Sequence, residues 1–138
     1  MLPASEITRL SALLLATAAL VVGSAAAGIA LPDARETRHR AIALTGGDPE
    51  RGRALLTRYG CSGCHTIPGV RRANGMVGPS LAGVADRVYL DGVLTNTPEN
   101  LIAWIVNPRA VDEKTAMPVT GIGPDEARDV AAYLYTLR

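Results

Sequence analysis

The two cysteines of the chain, Cys61 and Cys64, are separated by Ser62 and Gly63 and followed at once by His65. Thiols at this spacing have three common uses. They cycle as a dithiol redox pair, they supply half of a zinc site, or they bond covalently to a porphyrin. A zinc site needs two more soft ligands; the other histidine, His39, lies well upstream and there is no third cysteine. A thioredoxin-like pair sits in a βαβ pattern, which the sequence does not show. The run CSGCH therefore reads as a c-type haem attachment pattern. Two thiols add across the two vinyl groups on one edge of the ring, and Cys-x-x-Cys reaches both from one turn of chain. His65 then supplies an axial nitrogen, and the small Ser62 and Gly63 let the backbone press on the ring.

The elements that would carry this site are helices. Asp48, Pro49 and Glu50 make a helix start, and the helix is expected to run from Pro49 to about Tyr59 and stop at Gly60. Residues 66–80 are rich in Gly and Pro and read as loop. Thr97-Pro98-Glu99 opens a helix through Leu101, Ile102, Trp104 and Ile105 that halts before Pro108. Residues 108–123 read as loop. Pro124, Asp125 and Glu126 open a last helix whose apolar face is Ala127, Val130, Ala131, Leu134 and Leu137. No stretch alternates cleanly with period two. The expected class is all-α, with short helices and a large loop fraction. A domain of about 90 residues of this kind has a small core and needs a staple or a cofactor.

From about Gly47 to Arg138 the chain resembles a class I cytochrome c. CSGCH is followed by Gly78-Pro79-Ser80-Leu81, similar to the family's Gly-Pro-x-Leu. Trp104-Ile105-Val106-Asn107-Pro108 is similar to its aromatic-x-x-Asn-Pro. Thr115-Ala116-Met117-Pro118 is similar to its methionine-ligand motif. The resemblance implies a cytochrome c fold around one covalent haem c, with His65 and Met117 as the metal ligands. It implies that the Pro79 carbonyl accepts the other ring N–H of His65, which fixes the tautomer and strengthens the ligand. Met76 is the alternative sulfur, reachable only if its loop folds back. Arg87 resembles a family arginine that pairs with a haem propionate, with Tyr89 a weaker candidate. Trp104 is expected both in the core and against the haem. Gly52 should let the first and last helices approach, against Tyr133 or Leu134.

The composition agrees. The chain of 138 residues is 48% hydrophobic but only 4% aromatic, with no Phe, so bulk must come from aliphatic side chains or a cofactor. A net charge of +1 excludes a phosphate-tracking, nucleic-acid-binding surface and, with the apolar content, excludes disorder. Residues 10–31 form a run of 22 without a charge, at the lower edge of what spans a bilayer. Residues 1–31 are thus expected to be one hydrophobic signal-anchor helix, or alternatively a cleaved signal peptide ending near Ala25-Ala26-Ala27. Residues 32–47 read as a linker, helical from Ala34 to Leu44, and residues 48–138 as the cytochrome domain.

With His and Met on the iron no position is left for substrate, so the resemblance implies a one-electron carrier rather than an enzyme. The expected setting is a bacterial inner membrane with the haem domain in the periplasm, or the soluble periplasm if the signal is removed. The partners would be redox proteins of a respiratory or related chain. Two rivals remain: a haem-bearing subunit of a larger membrane oxidoreductase complex, and a haem catalyst or gas sensor with an open iron position. A single Lys, Lys114, and an uncharged domain leave little for long-range steering. A shared membrane would suit such a partnership.

Overall fold

Proline opens four of the helices, at Pro49, Pro98, Pro108 and Pro124. Its fixed φ suits the first helical turn, where a missing N–H costs nothing. The computed structural model describes residues 33–138. Its elements are α1 (Ala34–Thr45), α2 (Pro49–Arg58), α3 (Cys61–Cys64), a single 3-10 turn (Val84–Asp86), strands β1 (Tyr89–Leu90) and β2 (Leu94–Thr95), α4 (Pro98–Val106), α5 (Pro108–Val111) and α6 (Pro124–Leu134). Side chains cap three of the proline starts: Asp48 accepts from the Glu50 N–H, Thr97 from Asn100 and Asn107 from Ala110. The class is all-α, with one small antiparallel hairpin in which Tyr89 faces Thr95 and Leu90 faces Leu94.

Helix α6 is the centre of the domain. It packs against α1, α2 and α4, and buries Ala127, Val130, Ala131, Ala132 and Leu134. Leu55 and Leu56 of α2 and Leu101 and Ile105 of α4 join this core. Each fully buried Val, Leu or Ile side chain contributes about 1.5–3 kcal/mol. The crossing of α2 over α6 is close because Gly52 has no side chain: a β-carbon there would overlap the Asp129 carbonyl and stand 3.0 Å from the Val130 nitrogen. The approach expected at Gly52 is present, but its partner is the backbone at Asp129 and Val130, not Tyr133 or Leu134. Tyr133 instead donates its O–H to the Pro68 carbonyl at 2.7 Å, tying the 66–77 loop to α6.

Asp129 is a buried carboxylate with a full set of partners. It accepts the Asp48 N–H at 2.7 Å and pairs with the Arg51 guanidinium at 3.0 Å. A buried charge is tolerable only when paired in this way. The clamp fixes the start of α2 on α6.

The compact unit begins at Ala34. The segment read as a linker supplies helix α1, which buries Ala41 and Thr45; Thr45 closes it by donating to the Ala41 carbonyl and accepting the Gly47 N–H. Helix α5 also interrupts the expected 108–123 loop. Among the described residues no helix is long and apolar enough to cross a membrane; the hydrophobic segment 10–31 lies outside them.

Candidate haem site

A cavity of about 450 Å³ opens beside α3. Cys61, Cys64 and His65 line it from α3 and its C-terminal cap, and Met117 from the loop after α5. Pro79, Arg87 and Trp104 line it as well, so all seven residues picked out by the sequence meet in one place. Leu56, Leu81, Val84, Leu90, Leu101, Ile105, Ile122, Val130 and Leu134 make most of the remaining wall apolar.

The local geometry has simple causes. Helix α2 ends at Tyr59, and Gly60, in the left-handed region at φ 75°, turns the chain into α3. His65 leaves α3 with extended backbone, and the chain returns after a loop closed by the Thr66–Asn74 bridge. The returning strand is pinned to the departing one. Gly78 N–H donates to the Cys64 carbonyl at 2.8 Å, and Leu81 N–H to the Thr66 carbonyl at 2.9 Å. Between these pins the Pro79 carbonyl sits 2.7 Å from His65 Nδ1. That bond places the ring proton on Nδ1 and leaves Nε2 as a ligand nitrogen.

Met117 is held in a turn where its N–H donates to Thr115 Oγ1 at 3.2 Å. Met76 is 90% exposed and does not line the cavity. Tyr89 is also exposed and is not part of the cavity wall. It belongs to a two-residue strand whose inward residue is Leu90.

Arg87 is half-buried. Its Nη2 donates to the carbonyls of Ser80 and Ala82. No carboxylate among the described residues pairs with it. A half-buried cation without a counter-charge at a cavity wall fits an anionic group brought by a ligand.

Tyr59 lines the cavity and escaped the sequence reading. Its O–H donates to Glu126 Oε2, which raises the hydroxyl above its ordinary value, and burial adds to the effect. Arg58 holds the other Glu126 oxygen at 3.1 Å. Burial pushes the Cys61 thiol up, and nearby Cys64 adds to this. The two cysteines form no disulfide.

The residues fit a haem. An apolar cavity carries two thiols at one edge, an imidazole with a fixed tautomer, a thioether and an unpaired guanidinium. Imidazole and thioether are a donor set for haem iron. Among the described residues there is no cluster of three or more His, Cys, Asp or Glu side chains that could hold a bare metal ion instead.

Comparison with known proteins agrees with this geometry. The family profile described as Cytochrome c matches residues 49–138. The chain belongs to the cytochrome c family, whose members transfer electrons by means of haem. It is also similar to cytochrome c oxidase subunit 2 of Alkalihalophilus pseudofirmus, 30% identical over 89 residues; these are 64% of this chain and 25% of that protein. The chain thus spans about a quarter of the length of this relative.

Proposed function

We propose that this protein is a one-electron carrier that holds a single haem c through thioether bonds to Cys61 and Cys64, with His65 and Met117 as axial ligands. The observation that carries the reading is the convergence of these four side chains on one cavity, with His65 Nδ1 already committed to the Pro79 carbonyl. The bound haem supplies the ferric–ferrous couple. The chain's own residues do the rest. Pro79 keeps His65 in the tautomer that can ligate. Met117 would offer its thioether to the iron, a ligand that favours the ferrous state. The aliphatic wall excludes water, and Arg87 offers its guanidinium to a propionate. His65 and Met117 together would fill both open positions of a haem iron, which favours a carrier over a haem catalyst or sensor.

The setting we propose is a respiratory or related chain on the periplasmic side of a bacterial membrane, with residues 10–31 as the anchor. A second reading is supported by the similarity to an oxidase subunit: the chain would be the haem-bearing subunit of a larger membrane oxidoreductase. Co-purification from detergent extracts separates the two, since a subunit brings its complex and a carrier does not.

The test of the haem assignment is mass. Protein matured in a host with c-type attachment machinery should gain the mass of one haem and keep it after denaturation. Cys61→Ala and Cys64→Ala should weaken or abolish this. Haem retained by the double variant after denaturation would overturn the assignment.

A further inference from the structure

Asn96 lies outside the cavity wall, yet its side chain joins two carbonyls of the turn that carries Arg87 to the hydroxyl of Tyr135. Its Nδ2 donates to the Val84 carbonyl at 2.8 Å and to the Arg87 carbonyl at 2.9 Å. Its Oδ1 accepts the Tyr135 O–H at 3.1 Å, and its backbone N–H donates to the Val88 carbonyl at 2.9 Å. Both amide hydrogens are thus spent on the two ends of the 3-10 turn that carries Arg87. Only a carboxamide offers two donors and an acceptor from one short side chain. Asp lacks the donors, and Gln is longer by a methylene.

The turn so clamped reaches back toward the imidazole. Arg87 Nη2 holds the carbonyls of Ser80 and Ala82. Ser80 follows Pro79, whose carbonyl receives the His65 proton. Ordered hydrogen bonds therefore run from Tyr135, just beyond α6, through Asn96 and Arg87 to the segment that orients His65. We infer that Asn96 is a positioning residue for the axial histidine, acting through Arg87 on the Pro79 carbonyl. Arg87 then has two duties: three of its five N–H groups remain for a propionate, and the Nη2 pair anchors the loop.

The assignment rests on reading the cavity as a haem site, and the experiment separates the two. Haem content by mass is measured first on the intact wild-type chain, Asn96→Ala and Tyr135→Phe. Proton exchange with solvent is then followed by NMR at His65 Nδ1–H and, as a reporter of global opening, at the Leu101 amide. The ratio of the two rates rises only where opening at the ring outpaces global opening. In Asn96→Ala the ratio should rise about fivefold, as expected for a hydrogen bond weakened by about 1 kcal/mol. Tyr135→Phe leaves both donor bonds of Asn96 in place, and its ratio should match the wild type. If Asn96→Ala does not mature, Asn96→Ser, which keeps a single donor, is measured instead and should show a smaller rise in the same direction. A haem-loaded variant with an unchanged ratio, or equal rises in the Asn96 and Tyr135 variants, overturns the positioning role while leaving the haem reading intact. A wild-type chain that takes no haem overturns both.

Discussion

Gly78 packs against the imidazole of His65 so closely that a β-carbon would stand 2.7 Å from Nδ1 and 2.9 Å from Nε2. The glycine is there because the ring occupies the space a side chain would need. Gly78→Ala should push the ring off the Pro79 carbonyl and destabilise the protein by about 1–3 kcal/mol. Denaturant unfolding measures the loss, and faster exchange of the ring proton would locate it at His65.

The α2–α6 crossing gives a second steric prediction. Gly52→Ala places a methyl on the Asp129 carbonyl, which is backbone and cannot swing away. A loss of about 3 kcal/mol or more is expected, because the helices must separate. Gly123 is the control: it caps α6 with extended backbone and has open space around it. Gly123→Ser should stabilise by a few tenths of a kcal/mol (about 0.3) by accepting an N–H at the helix start.

The Tyr59–Glu126 bond predicts a dependence on alkaline pH. Its acceptor raises the Tyr59 hydroxyl above the ordinary value of 10.0. A group whose folded value is raised stabilises fully below its unfolded value, and the contribution is lost as pH rises through the folded one. Tyr59→Phe keeps the ring in the cavity wall and removes only the bond. The variant should unfold at lower denaturant than wild type between about pH 7 and 9, and the gap should close above about pH 10. A gap that persists at strongly alkaline pH would assign the loss to packing.

The two methionines of the domain should part company. Met117→Ala should remove the weak sulfur-to-iron absorption of the ferric protein, lower the potential and open the iron to carbon monoxide. Met76→Ala should do none of these, since Met76 projects into solvent. Reversed outcomes would move the ligand to the 66–77 loop.

If residues 10–31 anchor the native protein, it will stay with membranes in high salt and leave them only in detergent, because salt screens charge and not hydrophobic burial. Recovery from the periplasmic soluble fraction, with a mature N-terminus at Gly28 or Leu31, would identify the segment as a discarded signal.

Much of the site was legible in the sequence because its chemistry is local. Cys61, Cys64 and His65 are adjacent, and the starts of α2, α4 and α6 are written in proline and its neighbours. What escaped depends on long-range geometry. Asn96 resembles any polar loop residue until its amide is seen between Val84 and Arg87. Tyr59 reads as the end of a helix until Glu126, 67 positions later, meets its hydroxyl. Helix α1 is arginine-rich and weakly amphipathic, so little in its pattern says that Ala41 is buried. Strands of two residues cannot display a period of two.

The clamp of Asp129 on Asp48 and Arg51 joins positions 81 and 78 residues apart. Contacts of such separation form late, since a long loop must close before they return any energy. Helix α6 is also synthesised after everything it packs against, and its Val130 and Leu134 are walls of the cavity. Until it is in place the cavity lacks that part of its apolar wall. The cavity is therefore complete only when segments from the two ends of the domain have met.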